Sequence, residues 1–224
     1  MTMKKNKKFV LAIVFILLTA LVAALVRFVD VAAIGPEGTK IGLSGVNKAV
    51  HDLTGVNMTL YKITEYLGYA ALLLAAAFAA VGLWQLITRR SFSRVDPEIL
   101  LLGGLYAAVL ALYVIFEKVI VNYRPILMPD GEGPEASFPS SHTMLACTIL
   151  GSAIIVLPKY VKKKGLCTLL QTACAGMMAA LVIGRFASGV HWLTDILAGI
   201  CISTALLLLF SGILERLQAQ KGKR

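Results

Sequence analysis

Six apolar runs, at about 9–29, 66–87, 99–120, 143–157, 166–183 and 193–214, dominate this sequence of 224 residues. A helix needs roughly 20 mainly apolar residues to cross the hydrocarbon core of a bilayer. Within that core only helices and closed barrels satisfy their own backbone groups. The fourth run, TMLACTILGSAIIVL, is short, but Ser140 and Ser141 can begin its helix ahead of the apolar part. The expected fold is an all-α membrane protein, a bundle of six transmembrane helices forming one integral membrane domain over residues 1–224. Composition agrees: 58% of residues are hydrophobic, 15% are charged and the mean hydropathy is +0.80. A soluble domain carries about 25% charged residues.

The net charge of +10 could suggest a nucleic-acid partner, but the positions of the charges exclude that class. Of the 22 Lys and Arg, fifteen fall at 1–8, at 88–94, at 159–164 and from Arg216 onward. The other seven are Arg27, Lys40, Lys48, Lys62, Lys118, Arg124 and Arg185. An excess of positive charge marks the cytoplasmic side, so both termini are expected inside and the second group at the outer face. The opening KKNKK and the small residues at 31–33 resemble a signal peptide. A signal h-region is only about 7–15 residues long, so the first run is expected to remain as a span. Between Ile41 and Glu65, Ser44 as N-cap and Val46, Val50 and Leu53 at helical spacing predict a short interfacial helix on the outer surface. The four cysteines lie inside spans without disulfide or zinc-type spacing and read as small buried side chains.

Against this apolar background, three polar clusters stand at outer helix ends: EKVIVNYRP at 117–125, FPSSHT at 138–143 and GRFASGVHWLTD at 184–195. Clusters at one membrane depth can build one pocket, and ionisable residues there are functional candidates. Lys118, Arg124 and Arg185 are cations, and the planar fork of Arg matches phosphate oxygens. Ser140 and Ser141 open a helix whose free amides and dipole suit an anion. His191 and Asp195 are four apart on one helix face, so the carboxylate can orient the imidazole. His142 can protonate a leaving oxygen. Together these residues describe a phosphate cradle with a nucleophile and an acid.

These motifs resemble those of the type 2 phosphatidic acid phosphatase superfamily, in its membrane lipid phosphatase branch. Its pattern is Lys-x6-Arg-Pro, then Pro-Ser-Gly-His, then Ser-Arg-x5-His-x3-Asp. Arg124-Pro125, Pro139-Ser140-x-His142 and Arg185-x5-His191-x3-Asp195 match it in order and spacing. The resemblance implies that His191 attacks phosphorus to give a phosphohistidine, that Asp195 supports it, and that His142 protonates the leaving alkoxide. It also implies that Lys118, Arg124, Arg185 and the amides around Ser140 hold the phosphoryl oxygens, with no metal or other cofactor required. Three positions depart from the pattern: the family lysine falls on Glu117, one residue before Lys118; Ser141 replaces the motif glycine; and Gly184 replaces the serine before Arg185.

A pocket at the outer interface favours an amphiphilic lipid phosphate: undecaprenyl diphosphate, phosphatidylglycerophosphate or phosphatidic acid. Short loops without an appended domain point to a bacterial enzyme embedded in membrane lipids. Two rival readings use the same residues. A non-catalytic transporter or binding protein for anionic lipids leaves the His191–Asp195 pair without a purpose. A metal-dependent hydrolase built on His142, His191, Asp195, Asp130, Glu132 and Glu135 must crowd three cations around its metal.

Overall fold

The computed structural model describes residues 2–129 and 131–221. Seven α-helices form it: α1 (Thr2–Phe28), α2 (Ser44–Thr54), α3 (Met58–Arg89), α4 (Pro97–Lys118), α5 (Ser141–Tyr160), α6 (Lys164–Ala187) and α7 (Leu193–Lys221). All except α2 contain a segment long and apolar enough to cross a membrane. The described residues contain no strand, only two isolated antiparallel bridges. The all-α bundle of six candidate spans is therefore the architecture the sequence predicts.

The second span is longer than its apolar run. Asn57 caps α3 by accepting the Leu60 amide at 3.0 Å, so Met58–Glu65 belongs to the long helix and the surface helix shrinks to α2. Ser44 is not the N-cap of α2. That position falls to Leu43, in the left-handed region, while the Ser44 hydroxyl and the Gly45 amide both donate to Asp30, at 3.0 and 2.7 Å. A carboxylate at a helix N-terminus satisfies amides that have no carbonyl one turn before them. Helix α2 turns its polar side inward: Ser44 and Asn47 are buried, whereas Val46 and Leu53 are exposed. An apolar face pointing away from the protein suits a helix lying on lipid.

Helix α5 lies at the centre, against α3, α4, α6 and α7, while α1 runs along α7 at the periphery. Of its apolar window 67% is buried, against 11% for α1. This explains why the run at 143–157 is the shortest in the sequence. A helix surrounded by other helices need not match lipid, and small or hydroxyl side chains let its neighbours approach. Thr148 and Ser152 are fully buried on α5, and their hydroxyls return to carbonyls of their own helix.

At the end of the bundle away from the three motif clusters, a polar knot ties α3, α4 and α5. Asp96 accepts from Arg89 at 2.9 Å, Tyr160 at 3.0 Å and Gln85 at 3.1 Å, and Lys159 pairs with both Asp96 and Glu98. Burial alone would raise the Asp96 pKa, but the hydrogen bonds from Arg89, Tyr160 and Lys159 outweigh it and hold the carboxyl below the usual range. A depressed carboxylate pKa stabilises the fold above its ordinary value of about 4, and that stabilisation is lost as pH falls through the lower folded value. Asp96→Asn is therefore expected to destabilise the protein at pH 7 by ~1.5–3 kcal/mol, as for hydrogen bonds to a charged group. Thermal unfolding in detergent should show the deficit shrinking below about pH 4. A deficit independent of pH would mean that the charge is not what matters.

Candidate active site

The three clusters meet where α4 and α6 finish and α5 and α7 begin. Between α4 and α5 the chain folds back on itself: Tyr123 bridges Ala136, the Arg124 amide donates to Glu135 O at 3.0 Å, and the Ser137 amide donates to Asn122 O at 2.9 Å. This short ladder fixes Arg124 and Ser137 side by side. The Trp192 indole N–H, donating to Tyr123 O at 2.7 Å, then pins the ladder to the loop between α6 and α7.

That loop presents His191. It turns at Gly189, whose φ of +65° is in the left-handed region and where a Cβ would lie 1.8 Å from the Gly55 carbonyl oxygen. His51 of α2 meets the Gly189 carbonyl at 3.1 Å, and Asn57 donates its amide to Ser188 O at 2.9 Å. Asp195, in the first turn of α7, accepts the Trp192 amide at 2.9 Å, as a carboxylate does when it closes a helix start. Its backbone carbonyl accepts the Ser140 amide at 3.0 Å and so sets the start of α5 against the start of α7.

His191 is 4% exposed and Asp195 fully buried. The direct distance from His191 Nδ1 to Asp195 Oδ2 is 3.7 Å, too long for a hydrogen bond. Ser137 lies between them. Its hydroxyl is 3.1 Å from His191 Nδ1 and donates to Asp195 Oδ2. On the other face of the ring, Arg124 Nη1 stands 3.4 Å from His191 Nε2, and Arg124 Nε is 3.0 Å from Glu135 Oε2. Burial, followed by the charges of Arg124, Arg185 and His142, holds the His191 pKa well below its usual value. The imidazole is thus neutral at neutral pH.

Arg185 is fully buried, with its guanidinium stacked over the Tyr61 ring at 4.5 Å. None of its three guanidinium nitrogens has a hydrogen-bond partner, and neither does His142 Nδ1. Both Arg185 and Arg124 act electrostatically on His142. Gly68 of α3 makes room for that ring, since a Cβ there would come within 3.2 Å of His142 Cδ2. The cavity at the centre is small, about 10 Å³, with Arg124, Ser137, Ser141, Glu117 and His191 in its lining.

Arg124 and His191 thus line one cavity, with Asp195 behind His191 across Ser137, while His142 and Arg185 are not in its lining and act on His191 through their electrostatics. Lys118 differs: it is exposed at the end of α4, and the lining residue is its neighbour Glu117. The reason is the one-residue offset from the family pattern, about 100° of helix rotation. Ser140 differs too. Its amide is taken by Asp195 O and its hydroxyl accepts from Thr143 at 3.0 Å, so Ser141 is the serine that faces the cavity. Sequence reasoning missed Ser137 and Tyr61. Ser137 is 54 residues from His191, and no spacing rule connects them. Among the described residues no three His, Cys, Asp or Glu side chains are grouped as metal donors; Asp130 lies outside the described residues. Gly189→Ala should move the His191 loop off Gly55, cutting turnover at least tenfold and destabilising by ~1–3 kcal/mol, as forced backbone strain does. Wild-type turnover and an unchanged melting point would show that this close approach is dispensable.

Comparison with known proteins supplies two findings. The model of the PAP2 superfamily matches residues 118–218. The structure is similar to the crystal structure of a transmembrane PAP2-type phosphatidylglycerolphosphate phosphatase from Bacillus subtilis, with a TM-score of 0.64 and 18% identity, covering 92% of this chain and 96% of that one. No curated protein matches the sequence. The segment 118–218, which matches the PAP2 superfamily model, holds Arg124, His142, Arg185, His191 and Asp195, and the chain as a whole is similar in fold to that membrane-spanning PAP2-type phosphatase.

Proposed function

We propose that this chain is a metal-independent lipid phosphate phosphatase working through a phosphohistidine on His191. One observation carries the reading: Arg185, fully buried in an apolar bundle, rests on the Tyr61 ring with no carboxylate among the described residues paired to it and no hydrogen bond from any guanidinium nitrogen, and the charges of Arg124 and Arg185 act on both His142 and His191. A buried cation of this kind is costly unless an anion completes it. Arginine's fork makes phosphate the fitting anion.

The chemistry follows from the geometry. The Ser137 hydroxyl has one hydrogen, which it gives to Asp195, so it accepts from His191 Nδ1–H and leaves the Nε2 lone pair free. Arg124 covers that nitrogen and must yield the place to phosphorus, re-pairing with the phosphoryl oxygens as it moves. Nε2 attacks phosphorus, and the bond to the lipid oxygen breaks with its electron pair moving to that oxygen, which takes a proton from His142. Water then gives a proton to His142 and attacks phosphorus, the P–N bond breaks, and inorganic phosphate leaves. Arg124, Arg185 and the first amides of α5 neutralise the charge that develops on phosphorus. Lys118 contributes only where its chain reaches round from the exposed side of α4.

A lipid substrate is favoured by what adjoins the cavity. Phe116 lines it and also heads an apolar hollow of about 410 Å³ between α1, α4 and α7, walled by Ala20, Ala23, Ala205 and Leu206. Phosphate and a hydrocarbon chain thus find adjoining surfaces. The uneven distribution of Lys and Arg supports a site at the extracytoplasmic face. Undecaprenyl diphosphate, phosphatidylglycerophosphate and phosphatidic acid all fit this description. A binding protein or transporter for anionic lipids would use the same cations but release no phosphate.

The test is phosphate release from these lipids by purified protein in detergent with EDTA present. Release is expected, with His191→Ala inactive on every substrate. His142→Ala should lose ~10²–10⁴-fold on an alkyl phosphate, the usual worth of general acid catalysis, and much less on a nitrophenyl phosphate, whose oxygen leaves unaided. Rescue of His191→Ala by the aryl ester, with His142→Ala dead, would reverse the two roles.

The hollow makes a separate prediction. Ala20→Phe should fill it and displace about two chain methylenes, ~0.8 kcal/mol each, raising KM for a long-chain lipid phosphate roughly tenfold. Hydrolysis of nitrophenyl phosphate should not change. An equal effect on both substrates would remove the hollow from the binding site.

A further inference from the structure

We infer that Ser137 is a positioning residue through which Asp195 acts on His191, so that the working unit is His191–Ser137–Asp195 and not a direct histidine–aspartate pair. The inference rests on His191 being the nucleophile, as proposed above. It is carried by three observations: the 3.7 Å separation between His191 Nδ1 and Asp195 Oδ2, the Ser137 hydroxyl 3.1 Å from Nδ1, and the donation of that hydroxyl to Oδ2. Ser137 is 2% exposed, so water does not compete for its contacts.

The relay fixes two things. It sets the tautomer, because a hydroxyl that donates to the carboxylate can only accept from the ring. It also spreads charge. When Nε2 bonds to phosphorus the ring becomes cationic, and Nδ1–H then bonds to an oxygen whose own proton is drawn toward Asp195. Chains of hydrogen bonds polarise one another in a low-dielectric interior, so the carboxylate is felt at the ring without touching it. No proton has to leave Nδ1. The remaining oxygen, Asp195 Oδ1, has no partner, and Oδ2 is also held by the Trp192 amide. The carboxylate is thus held at the α7 start, with Ser137 spanning the gap to the ring.

A purely structural role for Ser137 is separable, because its backbone already holds the ladder. The Ser137 amide donates to Asn122 O at 2.9 Å whatever the side chain is. Removing the hydroxyl therefore cuts the relay while leaving the loop anchored.

The experiment compares Ser137→Ala, Ser137→Thr and Ser137→Cys on a lipid phosphate, following kcat, KM and the rate of phosphoenzyme formation by rapid quench. Ser137→Ala should lower kcat and phosphorylation ~10–100-fold, the loss expected for a hydrogen bond to a charged group, with KM within about twofold. Ser137→Thr, which keeps the hydroxyl, should recover most of the rate, and the weakly donating thiol of Ser137→Cys should not. In an Asp195→Asn background, Ser137→Ala should cost no more than about threefold further, since residues acting as one unit are not additive. Wild-type kcat in Ser137→Ala, or full additivity with Asp195→Asn, overturns the relay. Should the alanine variant not fold, equal rates for Thr and Cys overturn it in the same way. Turnover by His191→Ala would instead remove the nucleophile assignment, a distinct result.

Discussion

One buried aspartate registers this site. Asp195 receives the Ser140 amide on its carbonyl, and the Trp192 amide and Ser137 hydroxyl on its carboxylate. Those three bonds come from the start of α5, the loop after α6 and the ladder after α4. They bring together segments separated by whole membrane spans. Each contact is satisfied out of water, where a hydrogen bond is stronger and an unmatched group more costly. The relative placement of Arg124, Ser137 and His191 depends on the register they set, and the proposed chemistry would tolerate errors of only about an ångström in it.

Around that pin the bundle holds charges that an apolar interior would otherwise reject. Arg185 rests on the face of Tyr61, Arg124 faces Glu135, and His191 stays neutral under burial and the charges of its neighbours. A neutral imidazole is the form the proposed nucleophile would need, and the same clustering of charge and burial that keeps His191 neutral makes the site expensive to fold. The polar knot at Asp96 secures the far ends of α3, α4 and α5, so both ends of the central helix are fastened. Between them small residues of α5 let α7 approach closely: a Cβ at Gly151 would overlap the Leu207 side chain of α7.

The six spans and the three motif clusters were legible in the sequence, because bilayer thickness sets the length of an apolar run and short spacings on one helix survive folding unchanged. Arg185, His191 and Asp195 are read from one stretch of eleven residues, but the expectation that His191 and Asp195 share a helix face does not hold: Arg185 lies in the last turn of α6, His191 lies in the loop, and only Asp195 is on α7. Tertiary structure decided what long-range contact decides. It placed Ser137 between His191 and Asp195, tied the Ser140 amide to the Asp195 carbonyl, and put Glu117 rather than Lys118 in the cavity lining. It also started α3 at Met58, where the Asn57 cap rather than the apolar pattern fixes the boundary. A sequence reports periodicity along one helix. Which hydroxyl fills a gap between two helices is set by their relative rotation and depth, and only packing determines those.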